Sequence, residues 1–145
     1  MIVLDTNVLS ELMKARPAAK VLEWLAAQPV SSVYTTSITQ AEILHGLLLI
    51  PTGRKRNNLE AAAQAMFEKD FSGRILPFGF DAAPLYARIA ADRRKTGRPI
   101  SQFDAQIAAI VRLSGATLAT RNITDFQECG VTVIKEPAPE IKTPA

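Results

Sequence analysis

The first twelve residues, MIVLDTNVLSEL (1–12), decide how the chain reads. Ile2, Val3 and Leu4 make an apolar run of strand length. Asp5 follows at once, then Thr6 and Asn7, then apolar Val8 and Leu9. A buried strand that runs into a carboxylate has two explanations. Asp5 can cap the helix after it, accepting from the first free amides, or it can belong to a site built at the strand's end. LDTNVLSE also stands where a glycine-rich phosphate loop would follow the first strand of a dinucleotide fold, so that reading fails.

The alternation continues along the chain. VYTTS (33–37), RILPF (74–78), ATLAT (116–120) and VTVI (131–134) read as further strands. Between them the spacing predicts helices in SELMKA and AAKVLEWLAAQ, separated by Pro17. Others are expected from Thr39, with Ile43, Leu44, Leu47 and Leu48 on one face, over 54–71 with a basic start, and from an Asp81 cap to Gly97. The last, SQFDAQIAAIVRL (101–113), ends at Gly115. Short strands alternating with helices predict an α/β architecture around a mostly parallel sheet. Residues 1–136 are expected to form one domain and 137–145 a Pro-rich, loosely ordered tail.

The totals bound the function. A chain of 145 residues, 48% hydrophobic and 21% charged, is an ordinary soluble domain. No apolar run approaches the ~20 residues that span a bilayer, and the N-terminus has no signal-peptide pattern. The single cysteine, Cys129, excludes an intramolecular disulfide and a Cys-cluster metal site, so a cytoplasmic setting is expected. The net charge of +3 permits a polyanionic partner without requiring one. The one histidine, His45, lies in the apolar run AEILHGLLLI and is expected to be packed or at a rim. Chemistry is therefore expected to run on carboxylates.

Acidic or amide groups fall beside element ends at Asp5, Glu42, Asp104 and Arg121-Asn122-Ile123-Thr124-Asp125. Each has a plain explanation, since Thr39-Gln40-Ala41-Glu42 and Ser101-Gln102-Phe103-Asp104 both match a capping box. Topology gathers them nonetheless. In a parallel sheet a strand's carboxyl end and the next helix's start share an edge, and the tight Ser-Gly-Ala turn (114–116) sends the start of helix 101–113 to that same edge. Two carboxylates 4 Å apart repel by about 4 kcal/mol at an effective dielectric near 20, so such a set protonates or binds a cation. Oxygen ligands without His or Cys suit Mg²⁺ or Mn²⁺, which points to metal-assisted phosphodiester hydrolysis.

The motifs MIVLDTNVLSE, SITQAEILHGL (37–47), ISQFDAQIAAIV (100–111) and LATRNITDF (118–126) resemble, in order, those of the PIN-domain ribonucleases, in particular VapC-type toxins of the FitB-like branch. The resemblance implies a three-layer α/β/α PIN domain with a central, mostly parallel sheet of about five strands. It implies an endoribonuclease toxin of a type II toxin–antitoxin module, a homodimer held in check by a cognate, usually DNA-binding antitoxin. Asp5, Glu42 and Asp104 would be the catalytic acids that hold Mg²⁺ or Mn²⁺, supported by Thr6, Asn7 and Thr120. Asn122 stands where many relatives carry a fourth acid; Asp125 either substitutes for it or caps the turn before Phe126, and the cap is preferred.

Arg54-Lys55-Arg56 and Arg93-Arg94-Lys95 with Arg98 are candidates for RNA phosphate contacts, and Arg121 is the foremost because it adjoins the acids. An internal salt bridge is the competing role for Arg121. Trp24, Leu25 and the apolar helix at 43–50 serve either the antitoxin or the core, with the core preferred. Two rivals stand. A haloacid-dehalogenase-type phosphotransferase needs a second acid two residues after Asp5, and Asn7 occupies that place. A non-catalytic RNA-binding or interaction domain would use the acids only as helix caps.

Overall fold

Successive strand residues face opposite sides of a sheet, and in β1 (Ile2–Leu4) this divides the core in two. The computed structural model describes residues 1–127, 129 and 130, and the backbone of 132–135. Beside β1 run β2 (Val33–Thr36) and β4 (Thr117–Thr120), with β3 (Ile75–Leu76) and β5 (Thr132–Lys135) at the edges. The order is β3-β2-β1-β4-β5 and every pairing is parallel. The expected tail, 137–145, lies outside the described residues.

Val3 pairs with Leu118 and Leu4 with Ala119. Val3 and Leu118 enter a core with Ile89 of α5 (Ala82–Lys95) and Ile107 and Ile110 of α6 (Gln102–Ser114). Leu4 and Ala119 enter the other, with Val8 and Leu9 of α1 (Thr6–Leu12), Ile43 and Leu47 of α3 (Ser37–Leu48) and Ala63 of α4 (Arg54–Ala65). This is the three-layer α/β/α architecture with five strands. Burying one of these Val, Leu or Ile side chains contributes about 1.5–3 kcal/mol, so the layers are held mainly by the two apolar faces of the central strands. Trp24 and Leu25 of α2 (Ala19–Ala26) pack at the margin of the second core. The 43–50 stretch splits: Ile43 and Leu47 are buried, whereas Leu44, Leu48 and Leu49 are exposed. His45 is exposed in the last turn of α3.

Several boundaries differ from those expected. The first helix begins at Thr6, not Ser10, because Asp5 caps it. The helix expected over 54–71 ends at Ala65 and passes into a π turn, Met66–Asp70. β3 keeps only two residues of RILPF; Pro77 has no amide hydrogen to continue the ladder. Asp81 sits at the start of α5 with helical backbone and no side-chain capping bond, a correction to its expected role. Gly115 ends α6 in the left-handed region (φ 64°), which a glycine enters without cost from a Cβ. No helix among the described residues is long and apolar enough to cross a membrane.

Candidate active site

Asp5 leaves the carboxyl end of β1 with its amide still bonded to Ala119 O (3.1 Å). Its Oδ1 accepts from the amides of Asn7 (2.8 Å) and Val8 (3.4 Å), the capping pattern. Its Oδ2 accepts from Thr120 Oγ1 at 2.6 Å, across from the end of β4. The Thr120 hydroxyl accepts in turn from the Asn122 amide (3.0 Å). Asp5 is therefore both a cap and a side chain locked between α1 and β4. It is 4% exposed, and that burial lifts its pKa against the lowering pull of the Thr120, Asn7 and Val8 bonds; the charge of Asp125 lifts it further.

Glu42 does not occupy the capping-box position expected for it. The N-cap of α3 is Thr36, whose hydroxyl accepts from the Thr39 amide (3.1 Å), so Glu42 falls in the second turn. From there its Oε1 accepts from Thr6 Oγ1 at 2.8 Å. Thr39 Oγ1 lies 3.1 Å from the same hydroxyl, and because Thr6 has one proton and gives it to Glu42, Thr39 is the donor to Thr6. Burial raises the Glu42 pKa, and the charges of Asp104 and Asp5 add to the rise. Asp104 lies in the first turn of α6, where its amide bonds the Ser101 cap (3.1 Å) as expected. Burial raises its pKa first, against the lowering pull of the Ser101 hydrogen bond; the charges of Asp125 and Asp5 add to the rise, and Arg93 opposes it least.

Three carboxylates from three elements thus sense one another at one edge of the sheet. The groups acting on Asp5 and Glu42 are hydroxyls, amides and other carboxylates. Among the described residues, no three His, Cys, Asp or Glu side chains stand close enough to grip an ion directly. The donors are all hard oxygens, and Mg²⁺ keeps several of its own waters while binding through one or two carboxylates. The set fits such an ion.

The supporting residues divide. Thr6 orients Glu42 and Thr120 orients Asp5. Asn7 supports Asp5 through its backbone amide while its side chain is exposed. Asn122 is exposed and holds Thr120 by its amide; Asp125 is exposed inside the 3-10 turn Ile123–Phe126, with its charge felt at Asp5 and Asp104.

Of the basic candidates, Arg54, Lys55, Arg94, Lys95 and Arg98 are exposed, with Arg98 donating to Gln127 Oε1 (3.1 Å). Arg56 pairs with Glu60 (2.7 Å) one turn on. Arg93 is a correction: it is 6% exposed and its guanidinium is spent on the chain's own carbonyls, so it does not face an RNA backbone. Arg121 lies 3.6 Å from Glu11, an acid outside the set flagged in the sequence. Glu11 is buried, accepts from the Ala18 amide (3.0 Å) and also pairs with Lys14. The Lys14 hydrogen bond, then the Ala18 amide, hold its carboxyl below the usual range. The signal in the sequence was the Glu11–Lys14 spacing of three, which places both on one helical face. From Thr6 and Glu42 a groove of about 650 Å³ runs between α1, α3 and α4, with Ile43, Leu47 and Leu59 in its walls and Lys14 and Lys55 beside them.

Comparison with known proteins identifies the family of this fold. Residues 2–130 match the PIN domain family. A VapC ribonuclease of Sinorhizobium fredii is 39% identical over 140 residues, covering 95% of this chain and 100% of that protein. Toxin FitB of Neisseria gonorrhoeae is 37% identical over 133 residues, covering 92% of this chain and 96% of FitB. The solved structure of FitAB bound to a DNA fragment superposes with a TM-score of 0.88 at 35% identity, over 99% of this chain and 100% of that one. The fold and its acidic edge define a PIN domain. The chain belongs to the PIN-domain family, in the group that holds the VapC-type and FitB toxins.

Proposed function

We propose that this chain is a divalent-metal-dependent endoribonuclease, the toxin of a type II toxin–antitoxin module, with Asp5, Glu42 and Asp104 as its catalytic and metal-holding acids. The observation that carries the reading is the collection of these three carboxylates, drawn from β1, α3 and α6, into mutual electrostatic reach at the carboxyl edge of a parallel sheet. Relatives named ribonuclease and toxin support it.

Bound Mg²⁺ or Mn²⁺ supplies Lewis acidity and a water acidic enough to attack at neutral pH. The chain's own residues prepare the place. Two helix amides and the Thr120 hydroxyl fix both oxygens of Asp5, so its carboxylate does not reorient when RNA arrives. The Thr39–Thr6 relay does the same for one oxygen of Glu42 and leaves the other for the site. Lys14 and Lys55, along the groove that opens at Glu42, meet backbone phosphates, with Arg54, Arg94 and Arg98 as outlying contacts. Arg121, braced by Glu11, sets its charge directly after Thr120.

The same reading gives the chain a cytoplasmic bacterial setting and a homodimeric state; for a DNA-binding antitoxin partner, its likeness to the solved FitAB pair bound to DNA is the support. Incubation of the purified chain with a panel of structured RNAs tests the activity. Cleavage is expected with Mg²⁺, and is expected to vanish with EDTA or in Asp5→Asn. Cleavage that survives both would leave the acids as helix caps, the role the non-catalytic alternative gives them.

A further inference from the structure

We propose that Arg93 is a positioning residue: its guanidinium ties the end of α5 to the turn after β4 and thereby sets where Asp125 holds its carboxylate against the site. The inference rests on the metal-nuclease reading above.

Arg93 is buried at the carboxyl end of α5. Its Nη1 donates to the carbonyls of Asp125 (2.8 Å) and Gln127 (3.0 Å) and lies 3.4 Å from Cys129 Sγ. Its Nε donates to the carbonyl of Arg98 (2.6 Å), in the loop that leads into α6. The carbonyl of Arg93 itself accepts from the Arg98 amide (2.9 Å) and from Thr96 Oγ1 (3.0 Å). One planar group therefore fixes two segments at once: the loop before Asp104 and the turn that carries Asp125.

Burying a guanidinium is costly unless its donors are met, and here they are met by carbonyls of the segment that borders the acids. Asp125 is the next acid after Thr120 and stands three residues beyond Asn122. Its charge acts on both Asp5 and Asp104. A carboxylate that holds a hydrated cation through its water shell depends on its placement, and the carbonyl of Asp125 is the atom Arg93 holds. Lysine at 93 would keep the charge but not the fork of donors that reaches Asp125 and Arg98 together.

Mn²⁺ binding by calorimetry on the full chain tests this, with wild type, Asp125→Asn, Arg93→Lys and the double variant, each checked for fold by circular dichroism. Asp125→Asn is expected to weaken Mn²⁺ binding ~10-fold, and Arg93→Lys to weaken it similarly. The double variant is expected to be no weaker than Asp125→Asn alone, because placing an absent carboxylate has no further effect. Additive losses, or unchanged affinity in a folded Arg93→Lys, would overturn the assignment. Should substitution at 93 unfold the chain, Asp125→Asn decides: unchanged affinity there removes the group that Arg93 is said to position. An Asp5→Asn arm separates the two levels. Mn²⁺ binding that persists in Asp5→Asn, or is lacking in wild type, contradicts the metal-nuclease reading and this inference with it. Binding lost in Asp5→Asn but intact in Asp125→Asn and Arg93→Lys overturns this inference alone.

Discussion

Thr120 Oγ1 donates to Asp5 Oδ2 at 2.6 Å across 115 positions of chain, joining the ends of β1 and β4 at the acidic edge. Both side chains are buried, and the same hydroxyl accepts from the Asn122 amide. The bond couples the fold to the site, since the strand pairing that puts Leu4 beside Ala119 also puts Thr120 beside Asp5. Thr120→Val keeps the shape and removes the donor. It is expected to cost about 1–3 kcal/mol of stability and ~10- to 100-fold in RNA cleavage, read by urea unfolding and by turnover. Cleavage at the wild-type rate in Thr120→Val would show that Asp5 needs no such support.

The raised carboxyl groups give a pH dependence of definite sign. An acid whose folded pKa lies above its unfolded value binds its proton more tightly in the folded state. Its contribution is present below the unfolded pKa and is lost as pH rises through the folded one. Asp5, Glu42 and Asp104 all belong to this class. Without metal, wild type is expected to lose Tm relative to Asp5→Asn as pH climbs above the ordinary carboxyl range near 4. Thermal melts of both proteins in EDTA, from acid to neutral pH, measure the gap; a gap that stays flat would remove the electrostatic strain.

Glu11 behaves oppositely. Its carboxyl is held low, first by Lys14 and the Ala18 amide and lastly by Arg121. Its contribution is present above the unfolded pKa and fades as pH falls through the folded one. Glu11→Gln is therefore expected to lower Tm at neutral pH, with the difference from wild type closing in acid. A difference independent of pH would assign the effect to packing.

Leu9→Ala probes the second core. Leu9 is fully buried on α1 beneath the site. The truncation is expected to cost about 2–5 kcal/mol, measured by denaturant unfolding; a loss under 1 kcal/mol would mean that α1 is not held by this face.

Much of this was legible in the sequence because it is local or follows from parallel topology. The end of β1 at Leu4, the Ser101 cap and the Gly115 stop each have a short-range cause. The meeting of Asp5, Glu42 and Asp104 follows from strands that all run one way. The start of α3 was not legible, because VYTTSIT offers threonines at 35, 36 and 39 and spacing alone favours the last. The choice is made by the sheet: Thr36 still pairs with Leu76, so the helix begins directly after it and Glu42 is freed to meet Thr6. Arg93 was hidden by its neighbours. In RRK (93–95) nothing local tells which residue turns inward, and the carbonyls that bind it lie 32 and 34 positions away. The Glu11–Arg121 pair depends likewise on β4 lying beside β1.

The central claim is that the three acids act as one cation site, and a Mg²⁺ titration followed by thermal melting at neutral pH tests it most directly. Wild type is expected to gain Tm with Mg²⁺, because the ion relieves the repulsion among Asp5, Glu42 and Asp104. Asp5→Asn, Glu42→Gln and Asp104→Asn are each expected to lose most of that gain while remaining folded. An equal Mg²⁺-dependent rise in wild type and in all three variants would contradict the account.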